Sequence, residues 1–593
     1  MYKTHDCAQV TETLLGKEVI VCGWVNSYRT HGSIIFVDIR DRSGIVQVVF
    51  DGNSDRFSNL SSLRNEFVVR IVGKVRNRAE GMANSKMITG QIEINADELK
   101  IISECLPYPF DINDIENVDE TLRLKYRYLD LRRPFMYSNI FYRHKIIKAM
   151  RDFLDEKNFL EIETPCITKS TPEGARDYLL PSRQFPGEFF ALPQSPQLFK
   201  QILMIAGMEK YFQLARCFRD EDLRSDRQPE FTQLDMEMSF VESDDIMNIA
   251  EEMVAFMAKK VFDIEIKTPF KRMSYFDAMN YYGSDKPDLR YGLKFKKINE
   301  VFSTIDFNVI KSVLETDGVV KGFKVLPNRK LSRKDYDNFT KKAKFYGCPG
   351  MFYYQKLEGD FKTSIKKFLT DDIMSKLEEK FELQNDELII FLAGENEKIN
   401  PLLGKLREYF AREFSIVCTK PYDLEKMTAE NLEFLWIVDF PLFEKTSDEG
   451  IKPSHHPFTA PLDNIDIVKQ DPQSAMADAY DLVLNGYEIA GGSIRIHDSK
   501  TQKEIFNLLN ISDKEAEERF SFFLNALKYG TPPHGGIAFG IERVMMGIFN
   551  NSNIRELIAF PKNTQGRCLL TDAPSGVDSD QLKELKLKLT NNL

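Results

Sequence analysis

The sequence predicts a multidomain α+β protein, and three observations predict it. The first hundred residues are short runs rich in Val, Ile and Phe, separated by turns. Two later stretches, 159–240 and 436–562, are dense in polar motifs on mixed strand and helix patterning. Between them, from about 295 to 420, lies Lys-rich helix-and-strand sequence without clustered reactive residues. That change of texture reads as a domain inserted into a loop of a larger one. A chain of 593 residues carries about four domains at ~150 residues each. The expected division is a barrel over 1–104, a hinge over 105–135, the first part of the larger domain over 136–294, the insertion over 295–420, and the second part with a C-terminal extension over 421–593.

Within the first segment, VIVCGWV (19–25), SIIFVDIR (33–40), GIVQVVF (44–50), FVVRIVGKV (67–75) and QIEIN (91–95) read as strands. Asp41-Arg42-Ser43-Gly44 makes the turn between the second and third, and 58–66 reads as a short helix. Five strands with a helix after the third is the order of an OB barrel, a fold that commonly binds single-stranded nucleic acid, although other small barrels share that order. Residues 138–157 read as an amphipathic helix capped by Ser138, with Ile140, Ile147, Met150 and Leu154 on one face. FLEIETPCIT (159–168) is an apolar strand interrupted by Pro165, which belongs at an edge or a strand end. A short amphipathic helix over 578–590 closes the chain.

Composition removes several classes. Hydrophobic residues at 42% and charged residues at 29% exclude disordered and fibrous chains. No apolar run reaches the ~18 residues that span a bilayer, and the N-terminus is neither a secretory nor an Arg-rich transit signal. A cytoplasmic protein is expected. The eight cysteines are scattered with no C-x₂₋₄-C pair, so zinc is not expected and free thiols are. A net charge of −10 argues at first against a nucleic-acid partner. Locally the picture differs. Residues 1–104 balance 13 basic against 13 acidic side chains, and RLKYRYLDLRR (123–133) carries five basic residues against one acidic. That run reads as a solvated face or as a strip that touches phosphates.

Four clusters carry chemistry. TPEGARDYLLPSR (171–183) with QSPQLFKQ (194–201) places Glu173 on a turn and Gln197 and Lys200 on one helix face, a set suited to a carboxylate-bearing ligand or simply to solvent. In 215–240, Arg219 and Glu221 are two apart and share a strand face, able to clamp a phosphate or to form a surface ion-pair ladder. SHHPFTAP (454–461) leads to Asp481 and Glu488, two oxygen donors that suit Mg²⁺, then to Gly491-Gly492 and Arg495. KYGTPPHGGIAFGIERVMMGI (528–548) is a Gly-rich turn and strand leading into a helix with Arg543 in its first turn. It matches neither GxxxxGK[ST] nor GxGxxG, so the common nucleotide-binding folds are disfavoured.

Taken together these residues resemble the aspartyl-tRNA synthetases of the bacterial type, from about residue 15 to about 575. ETP in FLEIETP resembles motif 1 of class II synthetases, FRDE (218–221) motif 2 and GIER (540–543) motif 3. QSPQLFKQ, RQPEFTQLD, HHPFT and GGSIRIH resemble the aspartate-enzyme surroundings of those motifs. The resemblance implies an OB-fold anticodon-binding domain, a catalytic domain built on an antiparallel sheet flanked by helices, and the bacterial inserted domain. It implies ATP-dependent formation of aspartyl-adenylate, transfer to tRNA(Asp), a Mg²⁺ requirement and a homodimer formed around Pro165.

The implied roles follow position by position. Arg219 contacts the ATP α-phosphate and the amino-acid carboxylate; Asp220, Glu221, Gln228, Gly540, Ile541 and Glu542 line the ATP site; Phe231 stacks on adenine. Arg543 takes the γ-phosphate side, and Asp481 and Glu488 hold Mg²⁺. Glu173 and Asp235 take the amino-acid ammonium; Ser195, Gln197, Lys200, His455 and Arg495 surround the aspartate. Arg29, Phe36, Gln47 and Glu93 match anticodon-reading positions. The chain departs from aspartate-only relatives at His31, where they tend to carry Leu, and at Gly81, where they tend to carry Lys. That departure fits either charging of tRNA(Asn) as well or drift in a tolerant loop. Other readings are an asparaginyl or lysyl synthetase, a tRNA-independent amide ligase, and a nucleic-acid-binding barrel alone. Lys200 and Arg495 argue against the first two, the barrel against the third, and the 159–562 motifs against the fourth.

Overall fold

The computed structural model describes all residues except 58–59, 113–116, 172–174, 419, 447–449 and 591–593. They form two compact units, Met1–Glu116 and Asn117–Leu593.

The first unit is a closed barrel of Glu18–His31, Ile34–Arg40, Ile45–Asp51, Ile92–Ser103 and Val68–Asn77, in that order round the wall. Strict alternation builds it: Val37, Ile39, Val46, Val48, Phe50, Ile92 and Ile94 point inward, and their neighbours point out. Asp41 closes the expected turn, its backbone N–H donating to the Gly44 carbonyl at 3.0 Å and its carboxylate accepting from Ser43 N at 2.8 Å. Where a helix was expected over 58–66, the described residues make single 3₁₀ turns at Asp55–Phe57 and Leu60–Ser62.

The second unit is built on an eight-stranded sheet. Its order is Lys271–Ser274, Phe434–Pro441, Met476–Leu484, Tyr487–Ile494, His534–Gly540, Glu230–Ser239, Lys210–Phe218 and Leu160–Glu161. All pairs are antiparallel except the two end pairs. Helices Pro134–Glu156, Ser243–Phe262 and Ile541–Phe549 bury their apolar stripes on one face, around Met150, Met253, Trp436 and Met545. The first of these starts at Pro134, whose fixed φ suits a helix's first position, so Ser138 lies inside the helix and is not its cap. The expected strand at 159–168 is reduced to the exposed edge pair Leu160–Glu161, with Pro165 beyond it.

The basic run 123–133 is not a solvated face. Arg123, Arg127 and Arg133 are buried and converge on the carboxylate of Asp130, at 2.8, 2.5 and 3.2 Å. Arg123 also pairs with Glu556 at 3.0 Å, and Arg127 donates to the carbonyls of Arg555, Ile558 and Ala559. These three guanidinium groups are therefore taken up by the protein and do not touch phosphates.

A separate antiparallel sheet, Lys296–Lys297, Val319–Val325, Leu388–Gly394, Phe352–Leu357 and Asp360–Thr363, forms entirely within the Lys-rich stretch. Helices Arg333–Phe345 and Asn396–Glu413 cover one face and Asn308–Glu315 and Asp371–Phe381 the other, giving two apolar cores.

Candidate active site

Cross-strand register builds the floor of the site. Asp235 lies opposite Ala538, Ala538 opposite Gly491, and Gly491 opposite Asp481. Two acidic side chains thus flank two small residues on one face of the sheet, which leaves a cleft of about 520 Å³ above them. Next to this row, Glu237 pairs with Gly536 and Gly536 with Ser493. A Cβ on Gly536 would sit 2.0 Å from Glu237 Oε2, so only glycine lets that carboxylate lie flat in the floor.

The deep end is a buried four-charge cluster. Lys200 Nζ lies 2.9 Å from Asp235 Oδ1 and 3.3 Å from Glu237 Oε2. Arg495 donates to Glu237 at 2.9 and 3.2 Å, and its Nη1 reaches Ser493 Oγ at 2.6 Å and His456 Nε2 at 2.9 Å. Burial alone would raise the Glu237 carboxyl, but Arg495 and Lys200 hold it below the usual carboxylate range. Burial and the adjacent Arg495 charge push His456 well below the usual histidine range, so its ring is neutral. The donor inventory leaves Lys200 and Arg495 one N–H each for a ligand.

Several buried polar atoms lining the cleft have no partner among the described residues: Gln197 Nε2, Arg219 Nε, Asp235 Oδ2, Ser454 Oγ and His455 Nε2. Unsatisfied buried groups each cost about 1–3 kcal/mol, so such a concentration marks a ligand's place. Ser195 lines the same wall. Arg219 follows the Lys210–Phe218 strand, and its guanidinium lies over the Phe231 ring at 5.1 Å.

At the other end, Asp481 and Glu488 sit on paired strands. A Cβ on Gly491 would meet Asp481 Oδ1 at 2.6 Å and Glu488 Oε1 at 4.0 Å, so both oxygens face one point. Arg543 Nη1 stands 3.4 Å from Glu488 Oε1. Burial, and then the Glu488 charge, push Asp481 well above the usual carboxylate range. A hard divalent cation between the two oxygens would remove that penalty, and the donor set fits Mg²⁺. Among the described residues no group of three or more His, Cys, Asp or Glu side chains is placed to hold a metal ion. A cation here would therefore complete its shell with phosphate and water.

Other sequence-derived residues are occupied differently. Gln228 is buried, with its amide donating to and accepting from the Lys562 backbone at 3.0 and 2.8 Å, so it is a wall of the cleft rather than a free ligand. Glu542 is buried against Arg143 at 2.7 Å and Thr232 N at 3.2 Å, and Ile541 lies in the apolar core. Of GIER, Gly540 and Arg543 are the members with room to meet a ligand. Glu221 pairs with Arg227 at 2.6 Å at the cleft mouth, while Asp220 bridges to the Arg176 backbone. Glu173 lies outside the described residues. Sequence reasoning missed Glu237, although its two-residue spacing from Asp235 on a strand placed both on one face. It also chose His455 without His456, because only the fold shows which ring meets Arg495.

On the barrel, Phe36 stands opposite Arg29 and Val49, and Asp38 opposite Gln47. Gln47 donates to Glu93 at 2.9 Å, and Arg76 to Glu93 at 2.8 Å. Arg29, Phe36, Gln47 and Glu93 thus share the outer wall. His31 ends the first strand at an exposed hairpin tip, and Gly81 occupies an exposed turn.

The sequence matches the family of class II tRNA synthetases (D, K and N) over residues 119–564. The chain belongs to that family. Residues 19–102 match the OB-fold nucleic acid binding domain, in agreement with the closed five-stranded barrel. Among its relatives is the aspartate--tRNA(Asp/Asn) ligase of Thermoanaerobacter pseudethanolicus, 48% identical over 99% of this chain and 98% of that one. The protein of the same name from Natranaerobius thermophilus is 46% identical over 100% of both. The asparaginyl-tRNA synthetase from Pyrococcus horikoshii, solved with asparaginyl-adenylate, shares the synthetase fold at a TM-score of 0.58 and 21% identity, over 95% of this chain and 98% of that one.

Proposed function

We propose that this synthetase activates L-aspartate with ATP and transfers it to the 3′ end of both tRNA(Asp) and tRNA(Asn). The observation that carries the amino-acid choice is the pair of buried cations, Lys200 and Arg495, each with one N–H left over beside the unpartnered Asp235 Oδ2. An aspartate side chain repays their desolvation with charge-assisted hydrogen bonds. Asparagine would present N–H groups to N–H groups, and lysine would be repelled.

Asp235 Oδ2 then accepts from the substrate ammonium, with Glu173 as a second acceptor, while Gln197, Ser195 and His455 surround the side chain. Arg219 holds the α-carboxylate against the α-phosphate, and the carboxylate attacks phosphorus in line as pyrophosphate leaves. The protein supplies no nucleophile; Arg219 and Arg543 neutralise charge that builds on the phosphates. Asp481 and Glu488 would hold Mg²⁺, which when bound supplies charge neutralisation on the phosphate chain. The 3′-terminal hydroxyl of the tRNA next attacks the aspartyl-adenylate carbonyl and AMP leaves. On the barrel, Phe36 offers an unstacked base an aromatic platform, with Arg29, Gln47 and Glu93 at its sides.

The reading for two tRNAs rests on His31 and Gly81 and on the names of the relatives above. A homodimer is supported by the short edge strand at Leu160–Glu161, where Leu160 and Ile167 are about half exposed. No helix among the described residues is long and apolar enough to cross a membrane, which is compatible with the cytoplasmic location expected for such an enzyme. The test is aminoacylation with labelled aspartate of each purified tRNA. Charging of both is expected; charging of tRNA(Asp) alone refutes the relaxed specificity, and charging of neither refutes the proposal.

A further inference from the structure

The hairpin that carries Asp481 and Glu488 is held from outside the cleft. Its turn, Asn485-Gly486, joins the two acidic strands, and a Cβ on Gly486 would lie 3.0 Å from Asp288 Cβ. Asp288 is buried and clasps Arg290 at 2.9 and 2.6 Å. Three residues earlier, Asp285 lines the same cleft as the two carboxylates. The segment 280–292 therefore touches the acidic hairpin at its turn and reaches the same cleft through Asp285.

Two buried cations from the Lys-rich stretch grip that segment. Arg407, on the Asn396–Glu413 helix, donates to the carbonyls of Asp288 at 2.6 Å and Gly292 at 2.6 and 3.0 Å. Its guanidinium lies over the rings of Tyr282 and Tyr291 at 4.8 and 4.2 Å. Lys321, on the Val319–Val325 strand, shares its three N–H groups among four oxygens, Asn280 Oδ1 at 2.5 Å, Asn396 Oδ1 at 2.7 Å, and the Asn280 carbonyl and Asn400 Oδ1 at 3.1 Å. The backbones meet closely as well: a Cβ on Gly404 would lie 2.4 Å from the Gly283 carbonyl oxygen.

Neither cation has an ion pair with a carboxylate among the described residues. Burying a charge on neutral oxygens alone is costly, and a neutral donor could satisfy the same oxygens at less cost. Packing does not require these two charges. What they achieve is direction, since a guanidinium fork or an ammonium with several amide acceptors fixes the backbone it binds in one arrangement.

We propose that the Lys-rich inserted segment braces the divalent-cation side of the active site, with Arg407 and Lys321 as positioning residues acting through the 280–292 segment on the Asp481–Glu488 hairpin. This rests on the reading of that hairpin as the Mg²⁺ site.

The test uses the full-length chain with Arg407→Met and Lys321→Met. Binding of Mn²⁺ in the presence of a non-hydrolysable ATP analogue is followed by electron paramagnetic resonance, and KM for aspartate is measured in parallel. The brace predicts an Mn²⁺ dissociation constant raised about threefold to tenfold in each variant, with KM for aspartate changed by less than about twofold. A merely structural role would lower the melting temperature and leave both constants alone. Mn²⁺ affinity within about twofold of wild type in folded variants overturns the proposal. Should Arg407→Met not fold, Lys321→Gln, which keeps a donor, is held to the same standard. Asp481→Asn separates the two readings: if it binds Mn²⁺ as tightly as wild type, the cation site is misassigned and the brace falls with it.

Discussion

Lys200→Met removes a charge from the most enclosed part of the site. Lys200 is 1% exposed, and among the described residues its ammonium is the one hydrogen-bond partner of Asp235 Oδ1, while Asp235 Oδ2 has none. Methionine nearly matches the volume, so the change is electrostatic rather than steric. Removing one partner of a buried ion pair costs about 3–5 kcal/mol, chiefly because the remaining carboxylate is left uncompensated. The melting temperature should therefore fall by several degrees. The substrate also loses a charge-assisted hydrogen bond, worth about 1.5–3 kcal/mol, or roughly 10-fold to 150-fold in KM for aspartate. A weak binder of asparagine would be affected less, so the preference for aspartate should narrow. ATP–pyrophosphate exchange with each amino acid, alongside a thermal melt, measures all three quantities. A variant that melts lower but discriminates aspartate from asparagine as wild type does would show that Lys200 is structural and that the charge reading is wrong.

Other consequences are tested in the same assays. Arg219→Ala should depress exchange by about 10²–10³-fold with little change in melting, since Arg219 Nε has no partner to lose among the described residues; exchange near wild type would remove it from the mechanism. Phe36→Ala should weaken tRNA charging by about 1–3 kcal/mol in binding while sparing exchange; equal loss of both would mean the barrel does not read the tRNA. The pH dependence of the Mg²⁺ requirement follows from Asp481. Burial and Glu488 raise its pKa, so protons compete with the cation, and the Mg²⁺ needed for half-maximal exchange should rise as pH falls. A requirement flat with pH would argue that Asp481 is not a ligand.

How much was legible in the sequence depends on the range of the interaction. The barrel was readable because period-two alternation is local, and Val37, Ile39, Val46 and Val48 point inward as their spacing implies. The antiparallel catalytic sheet was readable through motifs rather than through patterning. That Lys200, Asp235, Asp481, Glu488 and Arg495 meet in one cleft needs the strand order, which periodicity could not supply; the resemblance supplied their roles. One misreading is a long-range pairing and another is local. The basic run 123–133 looked solvated because one of its partners, Glu556, is 433 residues from Arg123. Ser138 looked like a cap, but the helix begins four residues earlier at Pro134, whose fixed φ suits a first helical position. Lys321 and Arg407 drew no notice, since nothing in a Lys-rich stretch says which charge folds inward.

The account's central claim is that the two buried cations select an amino acid with a carboxylate side chain. Exchange of labelled pyrophosphate into ATP by the purified chain, without tRNA, tests this directly with aspartate, asparagine and lysine in turn. The account predicts exchange that depends on aspartate and is near background with the other two. Exchange supported by asparagine and not by aspartate would contradict it.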